Sequence, residues 1–177
     1  MDNVHRASRL IDEVRAAGVT DVCVCAGSRN SPLLVVLGAR EDLRLYSFVD
    51  ERAAAFFAIG RAKVLDAPVA IVTTSGTAAA ELLPAAIEAY YSAVPLILIT
   101  ADRPARFRGT GAPQSIEQEG IFGVYAETSL ERWTRKRALH INIEFDEPLL
   151  GNAGVPPAEQ AASRRRRSPK AVRRIRC

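Results

Sequence analysis

With 177 residues, 48% of them hydrophobic, the chain is long enough to bury one core of ordinary size and too apolar to be a disordered protein. It has no apolar run of about 18 residues, and charges interrupt "MDNVHRASRLIDEV" where a signal peptide needs its apolar stretch, so the reading is a cytoplasmic protein with no membrane span. The formal charge of +4 is unevenly spread: residues 152–177 hold eight Lys or Arg against one acid, a net of +7, which leaves −3 for residues 1–151.

The first element in chain order is a helical pattern over residues 5–17, followed by the strand-like run "DVCVCA". Cys23 and Cys25, two apart on a strand, share a face and have no partner spaced for a zinc site, so both are expected as buried, reduced thiols. A second helix is predicted over 31–40, then the strand "LRLYSFV" and a third helix over 51–65. "PVAIVTT" follows, then a helix over 77–93, the strand "PLILITA" and finally "LHINIEF". The third and fourth strands are nearly unbroken apolar runs, as in strands covered on both faces. Alternating strands and helices predict an α/β fold with a doubly wound parallel sheet. Such sheets bind ligands outside the carboxyl ends of their strands.

The junctions at that edge read "AGSRNSP", "VDERA", "TTSGTAAA" and "TADRPARFRGTGAPQ". Three of them bring charge, and three carry glycines that allow close backbone approach, although none has the spacing of a phosphate loop. Two readings stand at "VDERA". Asp50 caps the third helix while Glu51 complements its dipole, or Glu51 carries chemistry. Likewise Thr77 is either a helix cap or part of a ligand loop.

Together, "GSRNSPL", "DERAAAFFAIGRAK", "TSGTAAAELLPAAIEA", "LILITADRP" and "GAPQSIEQEGIFG" resemble the N-terminal, pyrimidine-binding domain of the 2-succinyl-5-enolpyruvyl-6-hydroxy-3-cyclohexene-1-carboxylate synthases, thiamine diphosphate enzymes of menaquinone biosynthesis. The match runs from about Arg9 to Phe122, with a further patch at "HINIEFDEPLLG". The resemblance implies a transferase (carboligase) that uses thiamine diphosphate with Mg²⁺ to decarboxylate 2-oxoglutarate and join the product to isochorismate. It implies that Glu51 meets N1′ of the aminopyrimidine, which requires a carboxyl group able to hold a proton in dry surroundings; the alanines and Phe56 and Phe57 that follow are compatible with such a wall. Ser75, Gly76 and Thr77 match the loop against the cofactor. Ser28, Arg29 and Arg103 match substrate-contacting positions suited to carboxylates, and Gln114 matches a residue near the reacting centre. His5 and His140 have no motif support and read as solvated or strand-packed.

The departures are equally specific. The chain lacks the GDG motif that precedes the family's metal and diphosphate site, so the Mg²⁺ ligands are expected outside it, in a homo-oligomer or a diphosphate-binding partner domain. Ala26 stands where the family usually has Pro. Residues 124–139 look shortened, which predicts that the strand "LHINIEF" pairs poorly or at an edge. A boundary near Gly151 separates a pyrimidine-binding domain, 1–151, from a basic tail, 152–177, whose composition predicts disorder. The tail is read either as a frameshifted frame or as a real arm without specific nucleic-acid function, since it has no aromatic interleaving. Alternatives to the synthase are another thiamine diphosphate decarboxylase or acetolactate synthase-like enzyme, or a truncated, non-catalytic remnant.

Overall fold

Eleven of the thirteen elements in the computed structural model are α-helices or strands, and the structure describes residues 2–150. In order they are α1 (Asn3–Ala16), β1 (Asp21–Cys25), α2 (Ser31–Gly38), β2 (Arg44–Phe48), α3 (Glu51–Leu65), β3 (Val69–Thr73), α4 (Thr77–Ala80), α5 (Leu83–Tyr91), β4 (Leu96–Asp102), β5 (Ala126–Glu127) and β6 (Ala138–Glu144). The basic tail predicted for 152–177 lies outside the described residues.

The strands form one six-stranded sheet in the order β2-β1-β3-β4-β6-β5, and every neighbouring pair is parallel. All residues of β1, β3 and β4 are buried, as their continuous apolar sequences require, whereas β2 at the edge is exposed or half-buried throughout. Helices α1 and α2 cover one face, where Ile11, Leu33 and Leu37 pack with Val22, Val72 and Ile99. The opposite face carries α3 and α5, whose alanines (Ala54, Ala58, Ala85, Ala89) let the helices lie close to Ile71 and Leu98. This is the doubly wound α/β arrangement that the alternating elements predicted.

Local chemistry fixes the helix ends. Asp2 accepts from the His5 amide at 2.7 Å, Asp50 accepts from the Ala53 amide at 2.6 Å, and α3 closes on Asp66 in the left-handed region at φ 50°. One predicted helix is corrected: residues 77–93 form α4 and α5. Pro84, in the first turn of α5, has no amide to donate back and its ring opposes the carbonyl one turn earlier, so one continuous helix cannot pass through it. At the other end Ala93 is left-handed, at φ 52°, and lies beyond the last turn.

Of the two outcomes expected for the last strand, poor pairing is overturned, while a place at the edge of the sheet is met over most of its length. β6 pairs with β4 at six successive positions, from Leu139 opposite Ile97 to Glu144 opposite Asp102. Ile143 is buried and only Ile141 is half-buried. The physical reason is that the crossover uses all of residues 103–137, not the short piece after Phe122. Phe122, 1% exposed, anchors this irregular crossover in the α3/α5 layer, a burial worth about 2–3 kcal/mol. Its ring meets His140 edge-on at 4.6 Å. β5 adds only two residues beyond β6, so most of the outer edge of β6 is left without a strand neighbour among the described residues.

Cys23 and Cys25 share the α3/α5 face as predicted, and burial pushes both thiols up to about 12. His140 is strand-packed. Burial pushes its imidazole down to about 4, with the Glu119 carboxylate opposing only in part. The folded chain therefore resists a proton that the unfolded chain takes up near pH 6.5, so stability is full above that pH and falls as pH drops towards 4. The unfolding free energy is expected to fall by about 2 kcal/mol between pH 7 and 5 on this account. Denaturant titrations across that range should show the fall flattened in a His140→Gln chain, which keeps a donor but does not titrate; an unflattened profile would assign it to other groups.

Candidate active site

The chain reverses its direction of winding at β1, which has β2 on one side and β3 on the other, so the crevice of this sheet opens above the carboxyl ends of β1 and β3. The turn after β1 is clamped by Asn30. Its side-chain oxygen accepts from the Gly27 amide at 2.9 Å and its side-chain amide donates to the Cys25 carbonyl at 2.9 Å. The neighbouring turn after β3 presses on it: a Cβ at Gly27 would stand 2.5 Å from the Cβ of Thr74. Only a residue without a side chain lets these turns touch.

Glu51 begins α3 immediately beyond β2 and is half-buried, with no hydrogen-bond or ion-pair partner among the described residues. Besides desolvation, the charges of Glu51 and Asp50 help to raise the Cys25 thiol, which places that carboxylate close to the end of β1. Asp50 performs the cap, and Glu51 takes no part in it. Phe57 packs on Tyr46 and Phe48 at 5.0 and 5.1 Å, and Phe56 is 44% exposed. These two rings therefore do not enclose Glu51.

Ser75 and Gly76 are buried, and Thr77, exposed, is the first residue of α4. Gly76, not Thr77, occupies the cap position, with φ 82° and ψ −140°, a conformation open almost only to glycine. Gln114, itself left-handed at φ 52°, lies over it: a Cβ on Gly76 would be 3.1 Å from the Gln114 Cα. Gln114 and Ser28 are exposed. Arg103 is half-buried; its Nε donates to the Pro113 carbonyl at 2.9 Å and its guanidinium lies 5.7 Å from the Phe107 ring centre. Arg29 is buried, donates to the Phe145 carbonyl at 2.9 Å and pairs with Glu147 at 3.0 Å. Ser28, Arg29, Glu51, Ser75, Gly76, Thr77, Arg103 and Gln114 all follow carboxyl ends of strands, and Gln114 returns to lie against Gly76.

Sequence reasoning missed the polar layer beneath them. Asp102, 1% exposed, can only accept, and takes a hydrogen bond from the Asn142 side-chain amide at 2.9 Å. The Asn142 oxygen accepts from Thr100 Oγ1 at 2.8 Å and from Gln118 Nε2 at 2.9 Å. Gln118, fully buried, also donates to the Ala101 carbonyl at 3.2 Å, and its oxygen accepts from the Gly76 amide at 2.7 Å. Because Thr100 has spent its proton on Asn142, the His140 Nε2, 2.8 Å away, must donate to Thr100. Arg108 closes the layer from outside against Glu144 at 2.9 Å. Period-two alternation in "LHINIEF", which puts His140, Asn142 and Glu144 on one face, was the available signal.

The sequence profile described as "Thiamine pyrophosphate enzyme, N-terminal TPP binding domain" matches residues 5–121. The chain belongs to this thiamine pyrophosphate enzyme family. Three curated relatives, each named 2-succinyl-5-enolpyruvyl-6-hydroxy-3-cyclohexene-1-carboxylate synthase, are similar to it. That of Bdellovibrio bacteriovorus is 48% identical over 163 residues, covering 85% of this chain and 31% of the relative. That of Akkermansia muciniphila is 50% identical over 166 residues, with the same shares of 85% and 31%. That of Halobacterium salinarum is 54% identical over 121 residues, 68% of this chain and 21% of the relative. The chain thus spans about a third or less of the curated relatives it matches.

Within this thiamine pyrophosphate enzyme domain, no group of three His, Cys, Asp or Glu among the described residues could hold a metal, and no described helix is long and apolar enough to cross a membrane. The contact of the two turns yields a direct test. Gly27→Ala is expected to destabilise the chain by about 2–3 kcal/mol through overpacking. A Thr74→Gly change in the same chain should return part of that loss, a coupling that a double-mutant cycle on unfolding free energies measures. Additive effects would mean that the turns separate freely.

Proposed function

We propose that this chain is the pyrimidine-binding domain of a thiamine diphosphate-dependent synthase that joins decarboxylated 2-oxoglutarate to isochorismate in menaquinone biosynthesis. The observation that carries the reading is that the five motifs shared with that family converge on one sheet edge, with a half-buried Glu51 carboxyl uncommitted among the described residues beside the crevice. The names of the curated relatives support the same synthase.

In this reading Glu51 meets N1′ of the aminopyrimidine and exchanges a proton with it, and the Ser75–Gly76–Thr77 turn lies against the ring. Bound with Mg²⁺, thiamine diphosphate supplies the nucleophilic carbon and electron sink for decarboxylation. The residues present fit its pyrimidine end. They do not fit the diphosphate end, which needs hard oxygen ligands around Mg²⁺ that the described residues do not gather. A second copy or a diphosphate-binding domain therefore supplies that end and also the apolar cover that Phe56 and Phe57 leave incomplete over Glu51. Residues 1–151 act as one domain, shortened near 124–139, of a cytoplasmic enzyme.

Ser28, Arg29 and Arg103 serve the substrate carboxylates, and Gln114 donates near the reacting centre. Arg29 can do this by exchanging Glu147, whose side chain is 61% exposed, for a substrate carboxylate, since an ion pair with so solvated a partner holds weakly.

Two measurements bear on the reading. In a full-length synthase carrying this domain, Glu51→Gln is expected to leave cofactor affinity within a few fold and to slow exchange of the thiazolium C2 proton by about 10² or more. NMR of the bound cofactor reads that rate, and an unchanged rate would reduce Glu51 to a helix-end charge. The 177-residue chain alone is expected to be inactive towards 2-oxoglutarate and to bind thiamine diphosphate no tighter than roughly millimolar, since a few hydrogen bonds of about 1 kcal/mol each barely offset association. Calorimetry with and without Mg²⁺ decides this, and micromolar, Mg²⁺-dependent binding would contradict it.

A further inference from the structure

The fully buried Gln118 has no place in the roles assigned above, yet it is the residue that joins the candidate cofactor turn to the sheet. Its oxygen receives the Gly76 amide at 2.7 Å. Its amide is spent on the Ala101 carbonyl and the Asn142 oxygen. The orientation is forced from both ends, because a backbone amide can only donate to it and Asp102 turns the Asn142 oxygen towards it. Four residues upstream on the same segment, Gln114 lies over Gly76, so close that a Cβ on Gly76 would stand 3.1 Å from the Gln114 Cα. Gly76 has no side chain of its own to stabilise its unusual backbone, and its helix has no side-chain cap.

We propose that Gln118 is the positioning residue of this site: by holding the Gly76 amide it fixes the Ser75–Gly76–Thr77 turn, and by tying the segment of residues 103–125 to β4 and β6 it keeps Gln114 in register over that turn. The proposal rests on the reading of this turn as the face that meets the aminopyrimidine. Gln118 itself touches neither cofactor nor substrate. Its effect passes through the Gly76 amide, and its amide chemistry is specific. Met would keep the volume and lose every hydrogen bond. A Glu carboxylate would still accept from Gly76 but would set lone pairs against the Ala101 and Asn142 oxygens, a conflict removed when the carboxyl is protonated and donates.

The test uses the 177-residue chain and two NMR readouts: backbone amide exchange, and shifts induced by thiamine, which carries the aminopyrimidine without the diphosphate. In the unmodified chain the Gly76 amide should exchange as slowly as those of Ile97–Thr100, and saturating thiamine should shift Ser75, Gly76, Thr77 and Gln114. Gln118→Met should speed Gly76 exchange by at least roughly tenfold and abolish the shifts at Ser75 and Thr77, while Ile97–Thr100 stay protected. Gln118→Glu should show the Met behaviour at neutral pH and recover Gly76 protection as its carboxyl is protonated, measured relative to the unmodified chain at each pH. If the Met chain fails to fold, this pH-dependent recovery decides alone. Unaltered Gly76 exchange in both variants overturns the role of Gln118. Thiamine shifts that are absent or fall elsewhere in the unmodified chain, with Gly76 exchange still dependent on Gln118, instead overturn the reading of the turn as cofactor-facing, and the positioning role with it.

Discussion

The contact between the turns after β1 and β3 governs the geometry of this domain's functional edge. Parallel strands at a point of reversed winding diverge above their carboxyl ends, and the crevice so formed takes its width from how closely the first two turns approach. Here they touch, with Gly27 against Thr74, and Asn30 holds the first turn to the end of its own strand through both ends of its amide. That contact leaves the crevice to be lined by backbone and small side chains on the β3 side and by α3 on the β2 side. Glu51 stands at the start of α3 because Asp50 takes over the capping, leaving the next carboxylate free of local duties.

The second turn is held from below. Burying Thr100, Asp102, Gln118 and His140 around a half-buried Asn142 is costly unless each donor finds an acceptor, and the chain of hydrogen bonds from Asp102 to Gly76 meets that condition in one direction only. The arrangement ties the irregular segment of residues 103–125 into the sheet without a helix. Phe122 supplies the apolar anchor and Gln118 the polar one, so a crossover with little regular structure of its own still delivers β6 into full register with β4.

On the proposed reading the described residues leave the diphosphate end of the cofactor unserved, for a physical reason. A diphosphate with Mg²⁺ demands clustered oxygen ligands, and the described acids are instead consumed by arginines: Asp21 by Arg61 at 2.7 Å, Asp42 by Arg15 and Arg40, Glu144 by Arg108. Glu51 is the exception among these named acids, without such a partner among the described residues. A half-buried carboxyl group at a sheet edge, beside exposed Val49 and Phe56, calls for cover from another surface before acid–base chemistry there can run in dry surroundings.

The sequence by itself determined the α/β class, the parallel sheet, the extent of α3 and the sheet edge to which its polar motifs fall, because continuous apolar runs mark strands buried on both faces and each strand's carboxyl end carried its own polar motif. It also placed the buried thiols, since a two-residue spacing on a strand fixes a common face. It did not determine the break at Pro84 within an otherwise helical pattern, nor the pairing of β6, because the reach of a crossover depends on where the chain leaves the previous strand and on what anchors it between. Arg29 had the chemistry of a ligand-facing fork, and only the tertiary structure set it against Phe145 and Glu147, more than a hundred residues away. The same holds for Gln118 within its motif: its partners Gly76, Ala101 and Asn142 lie on separate elements, and a hydrogen-bond chain of that kind exists only once the sheet has brought them together.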